Sequence, residues 1–230
     1  MHVLDDLDGL SPRARAFLRR SGERHQRDAD RLPTDYLQVP HRSGRPVIAP
    51  MELIVRREGF AQRFGGLTYS IRHRVRSNAD LLETVRRWDF LLDDWIRHEP
   101  NGWSFGWAGQ HVSSPVRHLV HTDGRFGVTF GGPFLEVSPS INHMIESHAL
   151  LDEMADWHPL PGNALEPWAA GRTNGSPLER RATLRPIPEA SGPCDRWFHS
   201  DTLTVRQSLR WTEDHPRPPT IEAWTRNAKA

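Results

Sequence analysis

Phe60-Ala61-Gln62-Arg63-Phe64-Gly65-Gly66-Leu67 joins two patterns of different period, and the reading of the fold starts there. Upstream, Leu53, Phe60 and Phe64 fall on one helical face with Ile54 and Ala61 beside it, and Pro50 suits the first turn of that helix. Downstream, Leu67, Tyr69, Ile71, His73 and Val75 alternate with Thr68, Ser70, Arg72, Arg74 and Arg76 over ten residues, the period-two signature of a half-buried strand. Gly65 is expected to take the left-handed conformation that closes a helix.

Other elements follow on either side of the joint. Ser11-Pro12 opens a short helix over Arg13 to Arg20, with Ala16, Phe17 and Leu18 as its apolar residues. Arg24 to Arg31 is charged and expected to be solvated, Leu32 to Leu37 returns to the core, and His41 to Pro46 is turn-like. Ala79 to Arg97 carries Leu82, Val85, Phe90, Leu91, Trp95 and Ile96 at mixed helical spacings, so a helix is expected, with a short strand over Trp88 to Leu92 as the alternative. Thr122-Asp123-Gly124 between two alternating runs, Val116 to His121 and Arg125 to Phe130, predicts a hairpin. Ser138-Pro139 starts a helix through about Trp157, with Ile141, Met144, Ile145, His148, Leu151 and Met154 at three- and four-residue steps. From Pro159 the composition changes, and more than half of the nineteen prolines lie in less than a third of the chain. A domain over residues 1–158 and a proline-rich C-terminal extension over 159–230 are therefore expected. Trp197-Phe198 and Thr202 to Val205 are candidate strands of that extension, docked or not, and Pro216 to Pro219 is a break.

Composition narrows the function classes. The 230 residues carry a net charge of +1, so no overall field favours nucleic acid or anionic lipid, and a charged partner has to be met by a local patch. No stretch approaches the roughly 20 apolar residues of a membrane span, and Met1 to Asp6 shows no basic flank or apolar run of a secretory leader. The single cysteine, Cys194, excludes an internal disulfide framework and a multi-cysteine metal site, and a reducing cytoplasm is the expected setting.

Catalytic constellations are absent from the pattern, and no catalytic residue, metal ligand or cofactor is assigned. His118 and His121, three apart on a strand, point to opposite faces, while His143 and His148 stand about 140° apart on a helix. His199-Ser200-Asp201 is contiguous and cannot fold into a relay, and Phe130-Gly131-Gly132-Pro133 has proline where a phosphate loop needs an amide. Three surface candidates remain. Arg72, Arg74 and Arg76 form a row able to grip phosphates or acids; Asp93, Asp94 and Glu99 beside Trp95 form an opposite patch; and Trp88, Trp95, Trp103 and Trp107 cluster within twenty residues. Trp103 and Trp107, next to Gly102, Gly106 and Gly109, are expected in a loop and exposed.

Leu32-Pro33-Thr34-Asp35-Tyr36, Phe60 to Leu67, Thr122-Asp123-Gly124-Arg125 and Pro139-Ser140-Ile141-Asn142-His143-Met144-Ile145-Glu146 form an ordered set that resembles the SUKH superfamily over residues 10–157. Its members are mostly bacterial immunity proteins of contact-dependent and polymorphic toxin systems, with relatives among yeast cell-wall-assembly regulators. The resemblance implies an α+β fold with a central, mostly antiparallel sheet flanked by helices, no enzymatic activity, and a surface that occludes one cognate protein toxin. Arg72, Arg74, Arg76, Asp93, Asp94, Trp95, Trp103 and Trp107 are the candidate partner-binding residues. Two other readings stay open: a metal-dependent hydrolase or nuclease using His118, His121, Asp123 and His148, and a nucleic-acid-binding module using the arginine row.

Overall fold

The structure, a computed structural model, describes residues 1–25, 38–40, 46–77, 80–110, 115–161, 184–209 and 219–226. The segments expected at Gln26 to Arg31 and Leu32 to Leu37, the turn expected from His41, and the prolines at 216 and 218 lie outside the described residues.

Helix α1 (Pro12–Ser21) is opened by Ser11, whose hydroxyl accepts the Ala14 amide at 3.2 Å. Short strands β1 (Glu23–Arg24), β2 (Gln38–Pro40) and β3 (Pro46–Ile48) follow, and β2 and β3 pair antiparallel. Helix α2 (Met51–Phe64) buries Leu53, Ile54, Arg57 and Phe60, so a charged residue sits in the stripe the apolar pattern marks. The left-handed residue at its end is Gly66, φ +74°, and not Gly65, which stays at φ −55° with its amide donating to the Ala61 carbonyl. Gly66 is doubly required, because a Cβ there would lie 2.1 Å from the His25 carbonyl oxygen, where the end of β1 passes.

Strand β4 (Leu67–Ser77) buries Leu67, Tyr69, Ile71 and His73 as the alternation predicts. The helix expected over Ala79 to Arg97 is instead a long strand, β5 (Asp80–Glu99). Its Trp88 and Phe90, two residues apart, bury on one sheet face against Trp107, and that burial overrides the helical spacing of Leu82, Val85 and Ile96. Then come β6 (Gly102–Gln110), β7 (Arg117–His121), β8 (Phe126–Thr129) and β9 (Leu135–Ser138), with the β7–β8 hairpin turning on Asp123-Gly124 as expected. Seven strands form one sheet in the order β1-β4-β5-β6-β7-β8-β9, and the β1–β4, β5–β6, β6–β7 and β7–β8 pairs are antiparallel. The protein is α+β with a large antiparallel sheet.

Helix α3 (Ile141–Met154) is capped by Ser140, whose side chain accepts the His143 amide. Five further strands, β10 (His158–Pro159), β11 (Arg185–Pro186), β12 (Asp195–His199), β13 (Leu203–Ser208) and β14 (Thr220–Thr225), make a second antiparallel sheet in the order β10-β14-β13-β12-β11. No helix among the described residues is long and apolar enough to cross a membrane.

Packing divides the chain into two compact units: Met1–Gly9, Arg15–Ser70 and Arg87–Glu136 in one; Leu10–Ala14, Ile71–Arg86 and Val137–Ala230 in the other. The boundary expected at Pro159 falls within β10, and α3 packs in the same unit as the C-terminal sheet.

The first unit is built on an aromatic centre. Phe60 of α2 meets Phe90, Phe105 and Trp107 with ring centroids 6.3, 5.6 and 5.8 Å away, and Phe90 stacks on Trp107 at 4.7 Å. The second unit uses both faces of its small sheet. Leu203, Val205 and Ala223 cluster on one, while Trp197 and Trp224 stack at 6.0 Å on the other, Trp197 donating its indole N–H to Ser147 of α3 at 3.0 Å. Register places Arg206 opposite both Trp197 and Glu222, so its guanidinium lies over the Trp197 ring and pairs with Asp195 and Glu222, each at 3.0 Å. Glu222 in turn meets His73 Nε2 at 3.0 Å. Burial acts to raise the Glu222 pKa, but His73 and Arg206 outweigh it and hold the carboxyl below its ordinary range.

Candidate functional site

The most constructed surface feature lies in the first unit, where β5 departs from regular pairing. Leu92 pairs with Trp107 and Ile96 with Phe105, so three residues, Asp93, Asp94 and Trp95, face the single residue Gly106. The bulge has a local cause. Asp93 Oδ1 accepts the Trp95 amide at 2.8 Å, the side-chain-to-backbone bond that lets aspartate replace a ladder contact with a turn. It also has a non-local cause, since the Asp93 carboxylate fills the space where a Gly106 Cβ would be, 2.1 Å away.

Two arginines hold the bulge. Arg117, at the start of β7, pairs with Asp93 Oδ2 at 3.0 Å and lies over the Trp95 ring at 5.4 Å. Arg57, buried on α2, donates to the Asp93 carbonyl at 3.1 Å. Burial pushes the Asp93 carboxyl above its ordinary value against the Trp95 amide and Arg117, and burial likewise pushes Arg57 down against Glu58, Asp94 and Asp93. Asp94 is exposed and enters no ion pair among the described residues, while Trp95 is half-buried.

Across the same sheet face Gly106 pairs with Leu119, and Leu119 with Gly127. Phe134 covers Gly127, and Arg125 lies over Phe134 at 5.7 Å while bridging Asp123 and Glu136. Gly106, covered by Asp93, and Gly127, covered by Phe134, therefore stand about two strand spacings apart, ~10 Å. Arg97 ties the intervening loop to β5 by donating to the Gly132 carbonyl, and Phe130 is exposed at that loop's tip.

Of the residues the sequence marks, Asp93, Asp94 and Trp95 come together here. Trp103 is half-buried at the end of β6, edge-on to His98 at 4.9 Å. Trp107 is not in an exposed loop: it is 1% exposed at the centre of the aromatic core, because β6 continues through Gly106 and Gly109. Glu99 is buried too, accepting from Ser104 at 2.8 Å. Arg72 and Arg74 of the arginine row are engaged within the second unit. Arg72 forks onto Asp156 at 2.8 and 2.9 Å and pairs with Asp152 at 3.3 Å, bonds that raise its pKa, and Arg74 pairs with Glu83 at 2.7 Å. The Arg76 side chain lies outside the described residues.

The histidines are individually placed. His118 enters the aromatic core beside Trp88, Trp107 and Phe126, and burial pushes its pKa down to about 4. His121, on the opposite face, meets Asp123 at 2.9 Å and packs on Phe134. Burial acts to raise Asp123, but Arg125 and His121 outweigh it and leave the carboxyl below its ordinary value. His148 is buried on α3 in the other unit. Among the described residues, no group of three His, Cys, Asp or Glu could hold a metal ion.

Sequence reading missed Arg57, Arg117, Phe130 and Phe134. The Leu119 register, which links Gly106 to Gly127, brings Arg117 and Phe134 to one face, Arg57 reaches Asp93 from α2, and no local pattern encodes either. No family model, curated protein or solved structure matches the chain.

Proposed function

We propose that this is a non-enzymatic binding protein of the immunity type, acting in the cytoplasm, where it neutralises a cognate polymorphic or contact-dependent toxin by covering part of its surface. The observation that carries the reading is the β5 bulge, which holds Trp95 half-buried under Arg117 with Asp94 exposed beside it. An aromatic anchor in a rigid polar frame is what tight protein interfaces use.

Fixed pairing on this face favours binding over chemistry. Asp93 is held by the Trp95 amide and Arg117, and Asp123 and Glu136 are both held by Arg125. Groups fixed in advance lose little freedom on docking, whereas a general acid or base has to exchange a proton with a substrate. The order of α2, the Gly65-Gly66 joint, β4, the Asp123-Gly124 hairpin and α3 is the order a SUKH-like protein requires, and it supports the same reading.

The test is protection against the toxin encoded beside this chain. Trp95→Ala or Asp94→Lys should weaken toxin binding about 30-fold, the size of a hot-spot contact, and Asp94→Lys should do so with unfolding unchanged, since Asp94 is exposed. A chain that neither binds nor protects against that toxin, or variants that protect fully, would defeat the proposal.

A further inference from the structure

We propose that the N-terminal half of β5 is a self-association edge, along which a second copy of this chain pairs antiparallel over Asp80–Arg86. All of Asp80 to Arg87 is exposed, including Leu81 at 52%, Leu82 at 49% and Val85 at 66%. The ladder with β6 begins only at Trp88, opposite Gln110, so this stretch has β4 on one side and no strand on the other among the described residues. A row of unpaired amides and carbonyls with apolar side chains above and below is a template for another strand.

The outer edge of β4 is treated differently. The Arg72 amide donates to Asp152 Oδ1 at 3.0 Å, and the Arg74 carbonyl accepts the Trp224 indole N–H at 3.1 Å. Side chains of the second unit thus close that edge and leave β5 as the open one among the described residues.

Charge spacing selects the occupant and its register. Two copies related by a two-fold axis normal to the sheet pair residues of like parity, so one residue sits on the axis opposite its own copy. With Glu83 on the axis, Asp80 faces Arg86 of the second copy twice over, Leu81 faces Val85 twice, and Leu82 faces Thr84. The Glu83 charge meeting its own copy is already compensated by Arg74 at 2.7 Å. Moving the axis to Thr84 sets Leu82 against Arg86 and Glu83 against Val85; moving it to Leu82 sets Leu81 against Glu83. Of these registers the Glu83-centred one pairs the whole of Asp80–Arg86 and matches opposite charges and apolar pairs together, a complementarity that an unrelated strand would lack. The edge shares no residue with the β5 bulge, so its failure leaves the toxin-binding reading untouched.

Sedimentation equilibrium of the full chain over a dilution series is the test, read beside hydrogen exchange. Wild type should dimerise reversibly, with protection of the Asp80–Arg86 amides rising with concentration. Arg86→Asp should weaken the dimer about tenfold or more, and Asp80→Arg with Arg86→Asp should restore it to within about threefold. Val85→Lys should leave a monomer with unchanged melting, since Val85 is exposed in the single copy. A wild-type chain that stays monomeric throughout, or a dimer that Arg86→Asp and Val85→Lys leave intact, would overturn the proposal.

Discussion

His118→Leu should remove part of the acid sensitivity of folding. The imidazole is 2% exposed, edge-on to Trp88 at 5.3 Å and stacked parallel to Phe126 at 6.2 Å, and it occupies the space where a Gly109 Cβ would lie. Burial holds its pKa at about 4 despite a hydrogen bond to the Ala108 backbone, whereas in an unfolded chain the same group titrates near 6.5. Between those values only the unfolded chain binds the proton, so unfolding is favoured as pH falls. The stability contributed by the neutral ring is complete above about pH 6.5 and is lost toward about pH 4, at ~1.4 kcal/mol per pH unit and ~3 kcal/mol over the window. That is a large share of the roughly 5–15 kcal/mol typical of a folded protein.

Leucine fills most of the ring volume and cannot titrate, so the informative quantity is the stability difference between wild type and variant. Urea unfolding from about pH 7 to about pH 4.5 measures it. Near pH 7 the variant should be the less stable, having lost the Ala108 contact, and the difference should shrink or reverse by ~2–3 kcal/mol at the acid end. Acid losses from carboxylates held low in the fold, such as Glu222 and Asp123, occur in both proteins and cancel. A difference that stays constant within ~0.5 kcal/mol would mean that His118 takes up its proton in the folded state as readily as in the unfolded chain, and the burial argument would fail.

Gly106→Ala should cost ~1–3 kcal/mol by expelling the Asp93 carboxylate from the space it fills, and should cost far less in an Asp93→Ala background. A double-mutant cycle by chemical denaturation reads the coupling, and equal costs in the two backgrounds would show that the carboxylate does not define the bulge. Arg206→Leu leaves Asp195 and Glu222 largely buried without their cation and should cost ~3 kcal/mol or more near neutral pH. Glu222 is held low, so the ion pair stabilises above the ordinary carboxylate range and that contribution fades as pH falls through its depressed value; the penalty should shrink with acid. A penalty independent of pH would point to lost packing on Trp197 instead.

The elements legible in the sequence share one property: the signal and the structure that satisfies it are close in the chain. The Phe64-Gly65-Gly66 joint, the alternation of β4, the Asp123-Gly124 turn and the Ser140-capped α3 each follow from a local period or a backbone need. β5 is different, because its regularity exists only against its neighbours β4 and β6, and two register shifts against β6 erase the period that would announce a strand. The same non-locality misleads at Trp107. Gly106 and Gly109 suggest a loop around it, yet each glycine is a hole in a continuous strand, the first filled by Asp93 and the second by His118. The residues that make the bulge a rigid surface, Arg57 and Arg117, arrive from α2 and β7, and neither carries a mark in its own segment beyond its charge. Asp93, Asp94 and Trp95 are therefore visible from the chain alone, whereas the cations that lock them, and Phe134 across the sheet, become visible only through helix packing and strand register. Arg72 shows the converse, since a row of arginines on alternate positions predicts an open patch only while Asp152 and Asp156, some eighty residues away, remain out of sight.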